Sequence, residues 1–367
     1  MKICHVTSVH NFNDNRIFYK EIKSIHNAGF DVCLIAPGDK DFEFEGVKIY
    51  HLKRSAGRIS RMLRMSIVGV LKRSKEIKAD VYHLHDPELM IVGLILRLKG
   101  KKVVFDVHEN NPASILSKPY IKYKFQKLVL SKVMMLMEKF FFTFFTKIVT
   151  ARPDISESLS RFKPITLRNV PILPTLDKIE KPNFIKDKFA LIFVGGITSI
   201  RGVKELIQAV DKVNDCELWL LGPFEDSAIE NECKSLKGWS KVRYLGVVEP
   251  FEIFKYISYA DVGVVTFLPL PNHLKTLATK PFEYMACGKP MIMSDFPYWR
   301  EFFKDSSLYV DPQNIEQIAQ TILQLKNDHQ LLISMGQLNK ELAYKEYSWN
   351  SEVMVLIDFY NQMAKQF

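Results

Sequence analysis

The apolar positions of this chain change period repeatedly. Short runs rich in β-branched and aromatic residues alternate with longer stretches in which apolar residues return every three or four positions. The first pattern suits strands buried on both faces and the second suits amphipathic helices, so the alternation predicts doubly wound parallel sheets. Strands are expected at residues 3–9, 31–36, 47–51, 80–85, 103–107 and 147–150, then at 190–195, 217–221, 242–245, 262–266, 290–293 and 308–310, with helices between them. Proline-dense sequence around Asn169, Pro171, Pro174 and Pro182 separates the two series and reads as an interdomain linker. After Asp311 and Pro312 come three helical patterns with no strand between them. The expected division is one α/β domain over residues 1–175, a second over 176–346, and a C-terminal helix over 347–367 that packs back on the first.

Composition narrows the class. With 367 residues and 47% apolar content, the chain can bury two cores. Its five cysteines are odd in number and lack any C-x-x-C pair, which indicates neither a disulfide frame nor a zinc site. The chain opens directly into a strand without a secretion-type leader, so a cytoplasmic location is expected. Its most apolar region, 128–145, is broken by Lys132, Glu138 and Lys139, whereas a spanning helix needs roughly 20 uncharged residues.

Charge is distributed unevenly. Of a net charge of +10, residues 1–180 carry +13 and the remainder −3. Residues 53–78 hold nine cations and one acid, Glu76. At helical spacing Ile59, Met62, Leu63, Ile67 and Val70 share one face, with Arg58, Arg61, Arg64, Lys72 and Lys75 opposite. A second segment, 119–146, sets Lys122, Lys132 and Lys139 against Leu136, Phe140, Phe141, Phe144 and Phe145. Such apolar stripes serve either as core or as a surface that dips into a bilayer. The nearly one-signed polar face suits anionic headgroups or a diphosphate-bearing lipid. No nucleic-acid module or stacking pattern accompanies the charge, so nucleic acid is not expected as a partner.

The candidate chemistry lies at strand ends. The first strand runs into Asn13-Asp14-Asn15-Arg16 without any G-x-G-x-x-G, which removes the main support for a dehydrogenase. Asp14 and Arg16 fall where open α/β sheets bind ligands, although Asp14 is equally suited to cap the next helix. Two further strands end in His83-Leu84-His85-Asp86-Pro87 and in Asp106-Val107-His108-Glu109. These imidazoles and carboxylates suit a sugar, a metal or a satisfied structural role, and no H-E-x-x-H spacing favours the metal. Farther on, Gly195-Gly196 followed by Arg201-Gly202 reads as a tight turn that lets backbone and a guanidinium approach a phosphate. Residues 279–290 read as a helix begun by Pro281 and ended by Gly288, with Lys280 at its start and the single acid Glu283. An anionic ligand that also carries hydroxyls, such as a nucleotide sugar, fits that set.

In order, these motifs resemble the family 4, or group 1, glycosyltransferases of the retaining GT-B type. Leu167-Arg168-Asn169-Val170-Pro171, Leu308-Tyr309-Val310-Asp311-Pro312 and Tyr347-Ser348-Trp349 extend the resemblance nearly end to end. It implies two Rossmann-like domains facing a cleft, a nucleotide-sugar donor on the back domain and an acceptor on the front domain. It also implies no required metal and no separate cofactor. Position by position, Glu283 matches the residue that holds the ribose diol, Arg201 a cation at the leaving diphosphate, and His108 a histidine close to the transferred sugar. Lys280 is a further candidate for the diphosphate. Asp14, Arg16, His85, Asp86, Glu109, Gly195, Gly196 and Lys275 are expected to bind substrate.

Two positions depart from the family pattern. Lys275 stands where a second glutamate is common, so the sugar-reading acid is not carried over, and Gly196 stands where an arginine is common. The expected function is transfer from a nucleotide sugar, a UDP-sugar ahead of a GDP-sugar, to a glycan or polyprenyl-diphosphate-linked acceptor in surface polysaccharide assembly. The expected place is the inner face of the cell membrane. Epimerase or hydrolase chemistry on the same scaffold, or a catalytically silent nucleotide-sugar-binding subunit, are the alternatives. The general base is left unassigned.

Overall fold

A computed structural model describes residues 1–53, 61–116, 118, 121–173, 179–249, 251–274 and 277–365; the side chains of 61–64, 271 and 272 are also outside the description. Lys275, Arg58, Ile59, Pro174 and the expected boundary at 175 therefore lie outside the described residues, as do the side chains of Arg61, Met62, Leu63 and Arg64. The chain forms two units, Met1–Asn169 with Trp349–Phe367, and Val170–Ser348.

The first unit holds strands β1 (Lys2–Val6), β2 (Asp31–Gly38), β3 (Phe42–Phe44), β4 (Val47–Lys53), β5 (Val81–Leu84), β6 (Lys102–Val107), β7 (Lys147–Thr150) and β8 (Ile165–Thr166). Their order is β3-β4-β2-β1-β5-β6-β7-β8, parallel except for the β3–β4 pair. The second unit holds β9 (Phe189–Val194), β10 (Cys216–Leu221), β11 (Val242–Gly246), β12 (Val262–Val265), β13 (Met291–Ser294) and β14 (Leu308–Val310), all parallel, in the order β11-β10-β9-β12-β13-β14. Each sheet reverses direction beside its first strand, between β1 and β5 and between β9 and β12, and ligands of such sheets bind at the carboxyl ends there.

Burial explains why these strands are legible. Residues 190–194 of β9 and all of β10 are buried, as covering helices on both faces require. The two strands that periodicity misses, β3 and β8, are a three-residue and a two-residue edge strand. At that length a period of two cannot be told from chance.

The C-terminal helix Trp349–Ala364 packs within the first unit. Buried Glu352 accepts from the Arg168 backbone N–H at 2.8 Å and from its Nε at 2.8 Å, and Trp349 Nε1 donates to Ser24 Oγ at 2.9 Å. In the earlier basic segment, Met65, Val70 and Ile77 are buried in the core while Lys72 and Lys75 are exposed. Met65, Val70 and Ile77 are thus core packing, whereas Val68 is exposed. The helix Lys124–Phe142 differs, because Glu138, Phe141 and Phe142 are the only buried residues along its 19 positions.

Candidate functional site

In the first unit, the loop after β1 and the start of the helix Asn15–Ile22 are organised by two carboxylates. Asp14 is the N-cap, accepting from the backbone N–H groups of Arg16 and Ile17 at 2.9 Å each, and His10 Nδ1 lies 3.2 Å from its Oδ2. Burial opposes its ionisation, but the hydrogen bonds from His10 and from Ile17 N–H outweigh it and hold Asp14 well below the usual carboxylate range. Asp86, at the end of β5, accepts from Thr7 Oγ1 at 2.9 Å and from Ser8 N at 2.6 Å, which ties the two strand ends together. His10 Nε2 lies 3.5 Å from Asp86 Oδ1. Its hydrogen bond to Asp14 raises the His10 pKa above its ordinary value.

Below this rim sits a second ionic group. Arg16 is 5% exposed, so its fork faces inward. Its Nε and Nη2 donate to Asp106 Oδ2 and Oδ1 at 3.0 and 3.1 Å, and Nη1 donates to the Leu167 carbonyl at 3.0 Å. Burial opposes the charge of Asp106, but the Arg16 guanidinium, with His108, holds its carboxyl well below the usual range. Glu21, 3.1 Å from the same guanidinium, is pushed well above its ordinary value by burial and by Asp106. One guanidinium between two buried carboxylates supports one ionised acid, and Asp106 has the two aligned hydrogen bonds.

That division makes a stability prediction. Glu21 keeps in the fold a proton that the unfolded chain releases above about pH 4.3. Its contribution is therefore complete below that pH and is lost as pH rises towards the folded value. Glu21→Gln is expected to match the parent in urea melts near pH 4 and to exceed it at higher pH. The gap should grow by about 1.4 kcal/mol per pH unit until Glu21 itself ionises. A gap that does not change with pH would refute the assignment.

His108, at the end of β6, is the partly exposed member of this network, with 19% of its side chain accessible. Its Nε2 donates to Asp106 Oδ2 at 2.9 Å. Glu109 is exposed beside it. The geometry thus brings together Asp14, Arg16, His85, Asp86 and His108. Arg16, His85 and Asp86 are buried, placing them as organisers of the strand ends rather than as an open surface. Periodicity could not single out His5, His10, Glu21 and Tyr360, which join the same cluster; spacing from β1 was the available signal for His5 and His10.

The second unit builds its site at the β9–β12 switch point. Gly195, at φ +131°, leaves the strand in a backbone region that favours glycine, and a Cβ there would lie 2.8 Å from Arg201 Nη1. Gly202, at φ +67°, abuts β12 so closely that a Cβ would meet the Thr266 carbonyl oxygen at 1.9 Å. These glycines let Arg201 fold back over the turn, where its Nη1 donates to the Gly196 carbonyl at 3.1 Å and its guanidinium lies 5.2 Å from the Phe267 ring centre. Burial lowers the Arg201 pKa, but a guanidinium stays charged throughout the accessible range.

The helix Lys280–Ala286 has Pro281 in its first turn, and Gly288 follows it at φ +63°. Tyr284 anchors it, accepting from Val194 N–H at 3.0 Å and lying over Gly263, where a Cβ would come within 2.3 Å of the ring. The strand ends and Glu283 are thereby fixed relative to one another. The helix has seven residues, so charge at this position rests on side chains more than on a helix dipole. Lys280 Nζ donates to Glu283 Oε2 at 2.6 Å, and the two expected ligand contacts are thus an ion pair.

His5, Glu21, His83 and His85, and separately His85, Asp106 and His108, hold potential ligand atoms within 4.8 Å of one another. The second group and the His5–His85 pair are hydrogen-bonded, whereas His5 Nε2, His83 Nε2 and the Glu21 carboxylate oxygens have no hydrogen-bond partner among the described residues.

Comparison with known proteins agrees with this architecture. The model for glycosyl transferases group 1 matches residues 175–344, and the model for glycosyltransferase family 4 matches residues 15–175. A protein of Methanocaldococcus jannaschii described as an uncharacterized glycosyltransferase is 26% identical over 193 residues, 49% of this chain and 48% of the relative. The match thus spans about half the length of that relative. Among solved structures, sucrose-phosphate synthase from Thermosynechococcus elongatus aligns with a TM-score of 0.78 at 16% identity, over 100% of both chains. Anabaena HepE in complex with UDP-glucose aligns at 0.73 and 13% identity, over 99% of this chain and 100% of that one. At such identities the likeness shows the fold alone, the GT-B fold of two Rossmann-like domains. With both family models matched in order from residue 15 to residue 344, the chain belongs to the group 1, family 4 glycosyltransferases.

Proposed function

We propose that the chain transfers a sugar from a nucleotide-sugar donor to a glycan or lipid-linked acceptor, with retention at the anomeric carbon. The observation that carries this reading is the switch point of the second unit, where Arg201 is folded over the Gly195–Gly196 turn and Glu283 is anchored through Tyr284. A departing nucleoside diphosphate gathers negative charge, which a preorganised guanidinium meets without reorganising. A carboxylate accepts two ribose hydroxyls, and Lys280 is free to exchange Glu283 for a phosphate oxygen when the diol arrives. The bond from the anomeric carbon to the diphosphate breaks and a bond to the acceptor oxygen forms on the same face. The acceptor proton passes to a diphosphate oxygen. In this reading His108 takes the part of the family histidine close to the transferred sugar, and the chemistry asks for no metal.

HepE holds UDP-glucose on the same fold, which supports a UDP-sugar as the donor class. The test is a thermal-shift series with UDP, GDP and their sugars, because a ligand that binds the native state raises its stability. UDP at 100 times its dissociation constant is expected to add about 2.7 kcal/mol, with GDP well below that. A larger response to GDP would overturn the donor class, and no response to any nucleotide would overturn the function.

The acceptor is proposed to lie at the inner face of the cell membrane, as in assembly of a surface polysaccharide. Support comes from the helix Lys124–Phe142, where Phe125, Leu128, Leu136 and Phe140 are exposed among Lys124, Lys132 and Lys139. Apolar side chains rimmed by lysines are complementary to an anionic bilayer surface. Among the described residues no helix is long and apolar enough to cross a membrane. The protein is expected to sediment with vesicles containing anionic lipid and to leave them when Phe125 and Leu136 are both changed to serine. Equal recovery with purely zwitterionic vesicles would remove the charge argument.

A further inference from the structure

Between the first sheet and the helix Asn15–Ile22 the core is unusually polar. His5 and His83 are register partners on β1 and β5, so their rings stand on one face of the sheet, and His85 two residues later stands there too. Glu21 enters from the helix and Tyr360 from the C-terminal helix, its hydroxyl 2.7 Å from His83 Nδ1. None of His5, Glu21, His83 and Tyr360 is exposed, and His85 is 3% exposed.

Three of the imidazoles are joined end to end. His108 Nε2 lies 3.2 Å from His85 Nδ1, and His85 Nε2 lies 2.9 Å from His5 Nδ1. The ring centres are 5.4 and 5.1 Å apart, a spacing that leaves the bridging nitrogens on the line between them, and the His5 and His85 planes differ by 20°. These are directed N–H···N bonds. A zinc ion with Zn–N bonds of about 2.0–2.1 Å would need converging lone pairs instead. Burial holds His5 and His85 well towards the neutral form, so each ring carries one proton and one lone pair.

One end condition sets the direction of the whole chain. Asp106, ionised against Arg16, sits 2.9 Å from His108 Nε2, so that nitrogen carries the proton. His85 Nδ1, 3.2 Å from that nitrogen and 3.5 Å from the same Asp106 oxygen, then accepts from the closer N–H, His85 Nε2 donates to His5, and His108 Nδ1 is left as the lone pair, bonded to nothing among the described residues.

We propose that His85 is a positioning residue for His108: backed by His5, its Nδ1 is the second acceptor that holds the His108 ring in the Nε2–H tautomer and presents Nδ1 to the ligand. This rests on the reading of His108 as the residue beside the transferred sugar. His85 does not touch the substrate; it decides which nitrogen of His108 does.

The test compares His85→Asn, whose amide oxygen takes the place of the Nδ1 acceptor, with His85→Leu, which removes it. In the full chain, nitrogen-15 spectra of His108 are expected to show the Nε2–H tautomer in the parent and in His85→Asn, and a mixture in His85→Leu. With a UDP-sugar as the probe, His85→Leu should lower kcat about 10- to 100-fold with little change in donor KM, and His85→Asn should recover most of it. A parent His108 in the Nδ1–H form, equal behaviour of the two variants, or one equivalent of zinc in the purified protein would each overturn the proposal. If the parent turned over no nucleotide sugar, the transferase reading would fail while the spectra still decided the tautomer.

Discussion

Arg201→Ala is expected to lower kcat for sugar transfer about 10³-fold while changing the donor KM by less than tenfold. Arg201 is held in place before any ligand arrives, by its hydrogen bond to the Gly196 carbonyl and by the Phe267 ring beneath it. It therefore opposes charge that grows as the diphosphate leaves, an interaction stronger in the transition state than in the bound donor. Arg201→Lys should recover little, because a lysine has neither the fork nor the flat face that lies on Phe267. Steady-state kinetics with a UDP-sugar decides it. An effect confined to KM would show that Arg201 binds the donor uniformly and takes no special part in departure of the leaving group.

Asp106→Leu is expected to destabilise the protein by about 3–5 kcal/mol at neutral pH, because it leaves Arg16 buried without its bidentate partner. Glu21 sets the lower end of that range. With Asp106 gone, the main like charge that opposes Glu21 ionisation is gone too, and its carboxyl 3.1 Å from Arg16 can take over as counter-ion. The double variant Asp106→Leu with Glu21→Gln should consequently lose more than the sum of the two single changes. The pH sign follows from the depressed Asp106: its contribution is complete above the unfolded value of about 3.9 and is lost as pH falls through the folded value. Because Glu21 keeps its proton in the parent but ionises in Asp106→Leu, the difference should widen as pH falls from 7 towards about 4 and shrink only in stronger acid. Urea melts across that range test it, and convergence already at pH 6 would contradict the ionised, paired Asp106.

These two sites were not equally visible in the sequence. Gly195, Gly196, Arg201 and Gly202 are close in the chain, and a turn that needs positive φ writes itself locally as glycine. The central strands were visible for a similar reason, since burial on both faces forces continuous apolar runs. Lys280 and Glu283 were visible as a pair, but their mutual ion pair was a matter of rotamer and reach. Arg16 was expected at a ligand and instead turns inward to Asp106, ninety residues away.

The sequence by itself determined the two α/β series, the polar strand ends, and the glycines that shape the turn after β9, because periodicity and backbone strain are local properties. Only the tertiary structure decided which carboxylate keeps its proton, which histidines form a chain and which nitrogen of His108 faces outward. Those depend on side chains from β1, β5, β6 and two helices meeting in a buried place, where burial and a single shared guanidinium decide which of two acids keeps its proton.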